Sequence, residues 1–163
     1  MTDRAAAASE RAGATPERAG ATPERAGIER LVPQKGAMCL LDSVVSVSER
    51  EIVCRAISHL DPGNPLRASG RLGIVCGAEY GMQAAALHGA LTSGAPAPAG
   101  WVAVLRLGGM AGGRLDDPGH GVLTVTADQR AREARGMLYG FRVLTGDGRE
   151  LLSGEGTVAI PPG

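Results

Sequence analysis

The sequence predicts a single α+β domain with a mainly antiparallel sheet. Two apolar segments of strand length come first, one long helical segment follows, and four more strand-like segments complete the chain. Strands grouped on either side of one helix favour this class over the strictly alternating order of α/β proteins. The length of 163 residues, with 44% hydrophobic and 21% charged residues, fits one hydrophobic core.

The N-terminal segment is a low-complexity repeat. Residues 10–27 repeat the unit ERAGATP and, apart from proline, offer no apolar residue larger than alanine. Such a segment cannot bury enough apolar surface to offset the entropy of ordering it. We therefore predict a disordered low-complexity tail over residues 1–28 and a folded domain over residues 29–163.

The strand-like segments lie on both sides of the predicted helix. Residues 38–47 and 51–58 are apolar and rich in β-branched side chains, and a short polar turn between them predicts a hairpin. A polar loop over residues 59–70 leads to a helix over about residues 72–91. Beyond a linker, four strands are predicted over residues 101–107, 122–130, 137–145 and 151–160. The turn Gly146-Asp147-Gly148 joins the last two strands.

The predicted helix carries a stripe of small residues. At four-residue spacing the stripe reads Gly73, Gly77, Gly81, Ala85 and Gly89. A glycine inside a helix costs about 1 kcal/mol relative to alanine. Repeated glycines on one face therefore indicate close packing of the helix backbone, and we expect a sheet against this face.

Glu79 is the strongest candidate for a catalytic residue. It lies two residues from both Gly77 and Gly81, so it projects about 160° away from the glycine stripe, and Gln83 follows one turn later on the same face. Burial favours the neutral form of a carboxylate, whereas a helix N-terminus favours the ionised form. This balance is typical of general acids and bases. The alternative is that Glu79 pairs with an arginine at a subunit edge.

The histidines and cysteines give weaker signals. His59 opens the polar loop, where functional groups often lie. His88 falls near the glycine face and is predicted to be packed, and His120 lies in a Gly/Pro turn and is predicted to be exposed. No two histidines have metal-ligand spacing, and the three cysteines lie far apart without a CxxC motif. We expect buried reduced thiols, no metal and no other cofactor.

The composition disfavours several classes of protein. The chain has 17 Lys and Arg against 17 Asp and Glu, and this balance argues against nucleic-acid binding. The first residues lack the apolar stretch of a signal peptide. The apolar run over residues 72–91 contains Glu79, Gln83 and His88, which are costly in lipid. We expect a cytoplasmic protein without a membrane span.

Three stretches carry a resemblance to a known family. They are residues 31–42 (LVPQKGAMCLLD), residues 64–72 with Asn64-Pro65-Leu66 and Gly70-Arg71-Leu72, and residues 78–85 (AEYGMQAA). Together they resemble the hotdog-fold 3-hydroxyacyl-[acyl-carrier-protein] dehydratases. The general pattern is FabZ-like and is most similar to the divergent ApeP-like branch, which is associated with aryl polyene lipid clusters. The resemblance covers nearly all of residues 29–160.

The resemblance implies a fold, an assembly and a reaction. The fold is a single hotdog domain, with a curved, mainly antiparallel sheet wrapped around one long central helix. The assembly is a homodimer, or a heterodimer with another hotdog subunit, in which the sheets join edge to edge and the active sites lie at the interface. The reaction is dehydration of 3-hydroxyacyl thioesters on an acyl carrier protein to trans-2-enoyl thioesters, in fatty-acid or polyene-type lipid synthesis. Glu79 matches the helix carboxylate of the family.

The histidine of the family motif is missing at its usual place. The FabZ-type branch carries its catalytic histidine in an HFPG motif shortly before the helix, whereas residues 67–71 read RASGR. The nearest imidazole is His59. We therefore predict that His59 is the base and Glu79 the acid. Asn64, Gln83 and the backbone near Gly73 are predicted to bind the substrate, with the backbone amides near Gly73 holding the thioester oxygen.

Other interpretations of the site remain open. Arg67 and Arg71 offer an approach for an acidic carrier protein, although a solvated loop explains this pair equally well. The chain could also be a non-catalytic subunit of a hotdog heterodimer, which the missing HFPG histidine favours. A third possibility is a hotdog acyl-thioesterase in which Glu79 activates water.

Overall fold

A computed structural model describes residues 22–98 and 101–159 of the chain. Within these ranges the chain forms two α-helices and six strands, which are α1 (Arg25–Leu31), β1 (Ser43–Val47), β2 (Glu51–Ala56), α2 (Gly77–Ser93), β3 (Trp101–Met110), β4 (Leu123–Glu133), β5 (Gly136–Leu144) and β6 (Glu150–Ala159). The strands form one sheet in the order β1-β2-β4-β5-β6-β3, and every neighbouring pair is antiparallel. The predicted α+β class with an antiparallel sheet is confirmed.

The described part of the chain begins inside the predicted tail. Helix α1 starts at Arg25, within the last repeat unit, and its residue Ile28 is fully buried in the core. Residues 22–28 therefore belong to the described structure, although the sequence placed them in the tail. The first large apolar residue after the repeats is Ile28, and its burial explains this difference. The rest of the predicted tail, residues 1–21, lies outside the described residues.

Helix α2 lies along the concave side of the sheet. It packs against β2, β4, β5 and β6. A 3₁₀ turn over Ile74–Cys76 precedes it, so the α-helix itself begins five residues later than the predicted start at about residue 72. Gly94, with φ +74°, ends the helix in the left-handed conformation that glycine adopts readily.

The predicted glycine stripe does pack against the sheet. A Cβ atom on Gly81 would stand 2.5 Å from Cδ2 of Phe141 on β5, and one on Gly77 would stand 3.0 Å from Cδ2 of Leu152 on β6. On the sheet side, a Cβ atom on Gly156 would stand 2.5 Å from Sδ of Met82. Small residues on both partners thus let the sheet approach the helix closely.

The two hairpins predicted from the sequence are present. Strands β1 and β2 lie on either side of the short turn and pair with each other, with Val44 opposite Cys54. Strands β5 and β6 pair across the turn that contains Gly148, whose φ is +90°. The bounds of the strands differ from the prediction by a few residues at most, except that β1 begins five residues later than predicted, because residues 38–42 form a 3₁₀ turn and an extended connection.

Strand β3 lies at one edge of the sheet, and among the described strands its single partner is β6. Five of its described apolar residues are between 41% and 60% exposed, namely Val102, Val104, Leu105, Leu107 and Met110. Such an exposed apolar edge is typical of a surface that associates with another chain. Within the described residues, no helix has both the length and the apolar composition needed to cross a bilayer.

Candidate active site

The carboxylate of Glu79 lies in the first turn of α2 and is half-buried. Its Oε1 atom accepts hydrogen bonds from two amides, Nε2 of Gln83 at 3.1 Å and Nε2 of Gln34 at 3.4 Å. In the part of the chain that the structure describes, no donor forms a hydrogen bond to Oε2. The carboxylate is therefore held through one oxygen and free at the other.

Gln83 links this carboxylate to the segment before β1. It lies one turn after Glu79, as the sequence predicted, and is fully buried. Its Nε2 donates to the carbonyl of Met38 at 2.7 Å as well as to Glu79, and its Oε1 accepts from the amide of Leu40 at 2.9 Å. These bonds use both N–H groups of the side chain. The predicted contact of Gln83 with substrate stays a prediction.

Gln34 is a member of the site that sequence reasoning did not select. It lies in the loop between α1 and β1, and its contact with Glu79 spans 45 residues. Its Oε1 atom is buried and has no hydrogen-bond partner among the described residues. No local pattern in the sequence links Gln34 to Glu79, because the contact depends on the path of the loop before β1.

His59 lies in a 3₁₀ turn, Ser58–Leu60, that directly follows β2. The side chain is fully buried, and neither ring nitrogen makes a hydrogen bond of normal geometry within the described residues. Burial lowers the pKa of His59, and a backbone interaction with Gly121 offsets this effect only in part. The imidazole is therefore neutral near pH 7, as a general base must be.

His59 and Glu79 do not form a hydrogen bond with each other in the described chain. The charged groups that act on His59 include His120, Asp116 and Asp42. The hydrogen bonds of Glu79 go instead to Gln34 and Gln83. The two predicted catalytic residues thus have different hydrogen-bonding partners in one chain, and their cooperation stays a prediction.

Asn64 fixes the loop that contains His59. It is 5% exposed, and its Nδ2 donates to the carbonyl of Ser58 at 2.9 Å and to the hydroxyl of Tyr80 at 3.0 Å. Its Oδ1 accepts from the amide of Leu66 at 2.9 Å. Burial raises the pKa of Tyr80, so its hydroxyl stays protonated and can donate to Ser58. The amide of Asn64 is engaged inside the chain, and its predicted role in orienting substrate is untested.

Arg67 is not available to a docking carrier protein, so this part of the expectation is wrong. Its side chain is 15% exposed and forms a 2.6 Å ion pair with Asp116. It also donates to the carbonyls of Asp61 and His59. The Arg114 guanidinium, together with Arg67, holds the pKa of Asp116 well below its usual range. Arg67 therefore stabilises the loop that carries His59, whereas Arg71 is exposed.

Gly73 lies ahead of the helix rather than in it. Its backbone is extended, with φ −70° and ψ 154°, and its carbonyl accepts from the amide of Cys76 at 3.1 Å. The sequence predicted that amides near Gly73 at the helix start hold a thioester oxygen. Because a 3₁₀ turn separates Gly73 from α2, the amides near this position belong to that turn, and the predicted binding stays a prediction.

The other two histidines are buried. His88 is fully buried and hydrogen-bonded to Tyr139 and Ser48, as expected for a packed residue. His120 is 7% exposed, and its Nε2 donates to the carbonyl of Arg114 at 2.8 Å. The expectation of an exposed His120 is therefore wrong, because the loop folds back on itself around this ring. All three cysteines are free thiols, as predicted.

A single antiparallel sheet packed against one long helix is the architecture of the hotdog fold, and in this chain the first turn of that helix carries a carboxylate. The sequence model of the ApeP dehydratase family matches residues 26–161. The chain belongs to the ApeP-like dehydratase family. A comparison with curated protein sequences finds no match.

Solved structures share this fold at low sequence identity. The dehydratase heterocomplex ApeI:P from Xenorhabdus doucetiae aligns with a TM-score of 0.63 and 17% identity, over 83% of this chain and 91% of that one. AziG from S. sahachiroi has a TM-score of 0.52 and 14% identity, over 71% and 87% of the two chains. A hypothetical thioesterase from Streptococcus pneumoniae TIGR4, solved with coenzyme A, has a TM-score of 0.51 and 14% identity, over 72% and 84%. The chain is thus similar in fold to both dehydratases and thioesterases.

Proposed function

We propose that the protein dehydrates 3-hydroxyacyl thioesters carried by an acyl carrier protein, giving trans-2-enoyl thioesters in fatty-acid or polyene-type lipid synthesis. The observation that carries the proposal is the Glu79 carboxylate, which two amides hold through Oε1 at the start of a buried helix. Membership of the ApeP-like dehydratase family supports the reaction class. The cytoplasmic location expected from the sequence stays a prediction.

The reaction needs one base and one acid. A base removes the proton from C2, the electron pair forms the C2–C3 double bond, and the C3–O bond breaks. The departing oxygen takes a proton from an acid and leaves as water. In the proposal the neutral imidazole of His59 is the base, and protonated Glu79 is the acid. Each proton transfer contributes about 10²–10⁴-fold to the rate.

The active site in this proposal needs a second hotdog subunit. Glu79 and His59 have no hydrogen bond to each other within one chain, and β3 offers an exposed apolar edge for sheet-to-sheet association. The structural relative ApeI:P is itself named a heterocomplex. We therefore propose a homodimer or a heterodimer in which the catalytic acid and base come together at the interface, and we give the heterodimer priority.

The second candidate is a non-catalytic subunit that completes such a heterodimer. The observation that favours it is the complete burial of His59, whose ring nitrogens have no hydrogen-bond partner in the described residues and no link to Glu79. In this case the partner would supply the whole acid–base pair. The chain would contribute the other half of the substrate channel.

One experiment separates these functions. The purified chain is assayed alone and together with a hotdog subunit from a neighbouring gene, with 3-hydroxyacyl and saturated acyl thioesters of acyl carrier protein as substrates. Enoyl thioester that depends on Glu79 supports the dehydratase. Activity that survives Glu79→Gln in this chain supports the non-catalytic subunit. Release of free thiol from the saturated thioester would establish a thioesterase instead, and a complex without enoyl product contradicts the proposal.

A further inference from the structure

Two side-chain amides from distant parts of the chain meet at one oxygen of Glu79. Gln83 comes from the same helix and is one turn away, whereas Gln34 comes from the loop before β1. Both donate through Nε2 to the same atom, Oε1, at 3.1 Å and 3.4 Å. Two separate elements thus fix a single oxygen of this carboxylate.

The loop that carries Gln34 is itself held in place. The amide of Gly36 donates to Oε1 of Glu29 at 2.6 Å, and Nζ of Lys35 donates to the carbonyl of Val32 at 2.8 Å. Glu29 and Val32 belong to the end of α1 and its cap. The position of Gln34 is therefore set by hydrogen bonds on its C-terminal side, independently of its contact with Glu79.

The arrangement determines where Glu79 can carry a proton. Each carboxylate oxygen has two lone pairs. At Oε1 two N–H donors occupy them, so a proton there would displace one of the amides. Oε2 accepts no hydrogen bond from the described residues. The neutral form of Glu79 therefore carries its proton on Oε2.

The environment of the Gln34 side-chain oxygen is energetically unfavourable. Its Oε1 is buried without a hydrogen-bond partner among the described residues, and an unpaired buried acceptor is destabilising. Turning the amide over would place this oxygen against Oε1 of Glu79, with two acceptors facing each other. The observed orientation thus gives Glu79 a hydrogen-bond donor, although it leaves the oxygen of Gln34 unpaired.

We propose that Gln34 is a positioning residue for Glu79 which, together with Gln83, holds Oε1 and thereby presents Oε2 as the oxygen that exchanges a proton with the substrate. The inference rests on the proposed dehydration and deepens it. Gln34 does not touch the reacting atoms. It sets which carboxylate oxygen reacts, and its effect is on the chemical step rather than on substrate binding.

The substitution Gln34→Met tests this proposal. The variant chain is assayed in complex with its hotdog partner and compared with the wild-type chain in the same complex. Methionine keeps the approximate shape of glutamine but removes both the donor to Glu79 and the unpaired acceptor. We expect kcat to fall about tenfold with KM unchanged, because loss of one of the two hydrogen bonds to Oε1 misplaces the acid. We also expect an unfolding midpoint no lower than that of the wild type, because the two stability effects oppose each other.

The matched control is Gln129→Met. Gln129 is also half-buried, and its amide donates to the hydroxyl of Tyr139 at 3.3 Å, in a part of the fold remote in sequence from Glu79. This variant should lower the unfolding midpoint and leave kcat unchanged. Unchanged kcat in Gln34→Met overturns the proposal. So does a loss of kcat that comes with a fall in midpoint like that of the control.

A second measurement does not depend on activity. The effect of Gln34→Met on the unfolding midpoint is compared in the wild-type and Glu79→Met backgrounds. In the Glu79→Met background, both the nitrogen and the oxygen of the Gln34 amide lack a partner. Gln34→Met should therefore raise the unfolding midpoint in that background but not in the wild-type background. Equal effects in both backgrounds overturn the inference. If the wild-type complex forms no enoyl thioester, the proposed function fails, and this comparison still shows whether Gln34 holds Glu79.

Discussion

His88 and Tyr139 join the central helix to the sheet through a hydrogen bond of 2.9 Å between Nδ1 and the phenol oxygen. The Nε2 atom of His88 lies 3.0 Å from the carbonyl of Ser48 and must donate to it. Nδ1 is then the acceptor, so Tyr139 donates to it, and the hydroxyl accepts in turn from Gln129 at 3.3 Å. This chain of bonds requires a neutral imidazole and a protonated phenol.

The first prediction concerns the pH dependence of stability. Burial lowers the pKa of His88 from its ordinary value of 6.5, and its hydrogen bond to the Ser48 backbone offsets this only in part. As the pH falls below 6.5, the unfolded chain therefore takes up a proton before the folded chain does. The contribution of His88 is complete above pH 6.5 and is lost below it.

The measurement is the slope of unfolding free energy against pH between pH 7.5 and pH 5.5, from denaturant titrations. We expect His88→Gln to flatten this slope and to lower stability at pH 7.5 by about 1–3 kcal/mol. Gln129→Met disturbs the same network without a titrating group, so it should lower stability and keep the slope. A slope in His88→Gln equal to that of the wild type would show that His88 does not titrate in this way.

The second prediction concerns Glu79. Replacing it with glutamine keeps an acceptor for Gln34 and Gln83 but removes the proton donor. We expect the rate of dehydration to fall by about 10²–10⁴-fold, with the unfolding midpoint within the error of the wild type. The rate is followed by the absorbance of the enoyl thioester. Normal turnover in this variant would remove Glu79 from the mechanism.

The third prediction concerns His59. Substitution by leucine removes two buried ring nitrogens that have no partner in the described chain. We expect an unfolding free energy that is unchanged or about 1 kcal/mol higher, because only the interaction with the Gly121 backbone is lost and polar burial is relieved. The dehydration rate should nevertheless fall by about 10²–10⁴-fold. If the rate persists, the base lies elsewhere in the assembly.

The fourth prediction concerns the packing of the helix against the sheet. A methyl group on Gly81 would collide with the ring of Phe141, whereas one on Gly89 would meet Cε of Met137 at an ordinary 3.7 Å. We expect Gly81→Ala to destabilise the protein by about 1–3 kcal/mol through overpacking. Gly89→Ala, the control, should stabilise it by up to about 1 kcal/mol through helix propensity. Equal effects of the two substitutions in denaturant unfolding would contradict the close approach at Gly81.

The parts of the fold that depend on local periodicity could be predicted from the sequence. Four-residue spacing identified the packing face at Gly77 and Gly81 and placed Gln83 beside Glu79, because helix geometry fixes these relationships. The two hairpins could be predicted because short turns separate neighbouring strand-like segments. By contrast, the position of β3 next to β6 depends on how distant strands meet, which no local pattern encodes.

The parts of the site that depend on loops could not be predicted. The contact of Gln34 with Glu79 and the burial of His120 arise from connections whose paths are set by the whole fold. Arg67 illustrates the same point, because a loop arginine in the sequence gives no sign that Asp116, 49 residues away, will hold it. Candidate residues such as Glu79 and Gln83 could be selected from the sequence, but their hydrogen-bond partners depend on the fold.

The edge strand β3 has a consequence for handling the protein. Edge strands commonly contain charged residues or prolines, which disfavour pairing with strands of other chains. Over Trp101–Met110 the sequence offers one such residue, Arg106, among exposed valine, leucine and methionine side chains. The chain expressed alone should consequently self-associate, and the size of its aggregates should increase with protein concentration. In the heterodimer proposed above, co-expression with the hotdog partner should cover this edge and keep the chain dispersed.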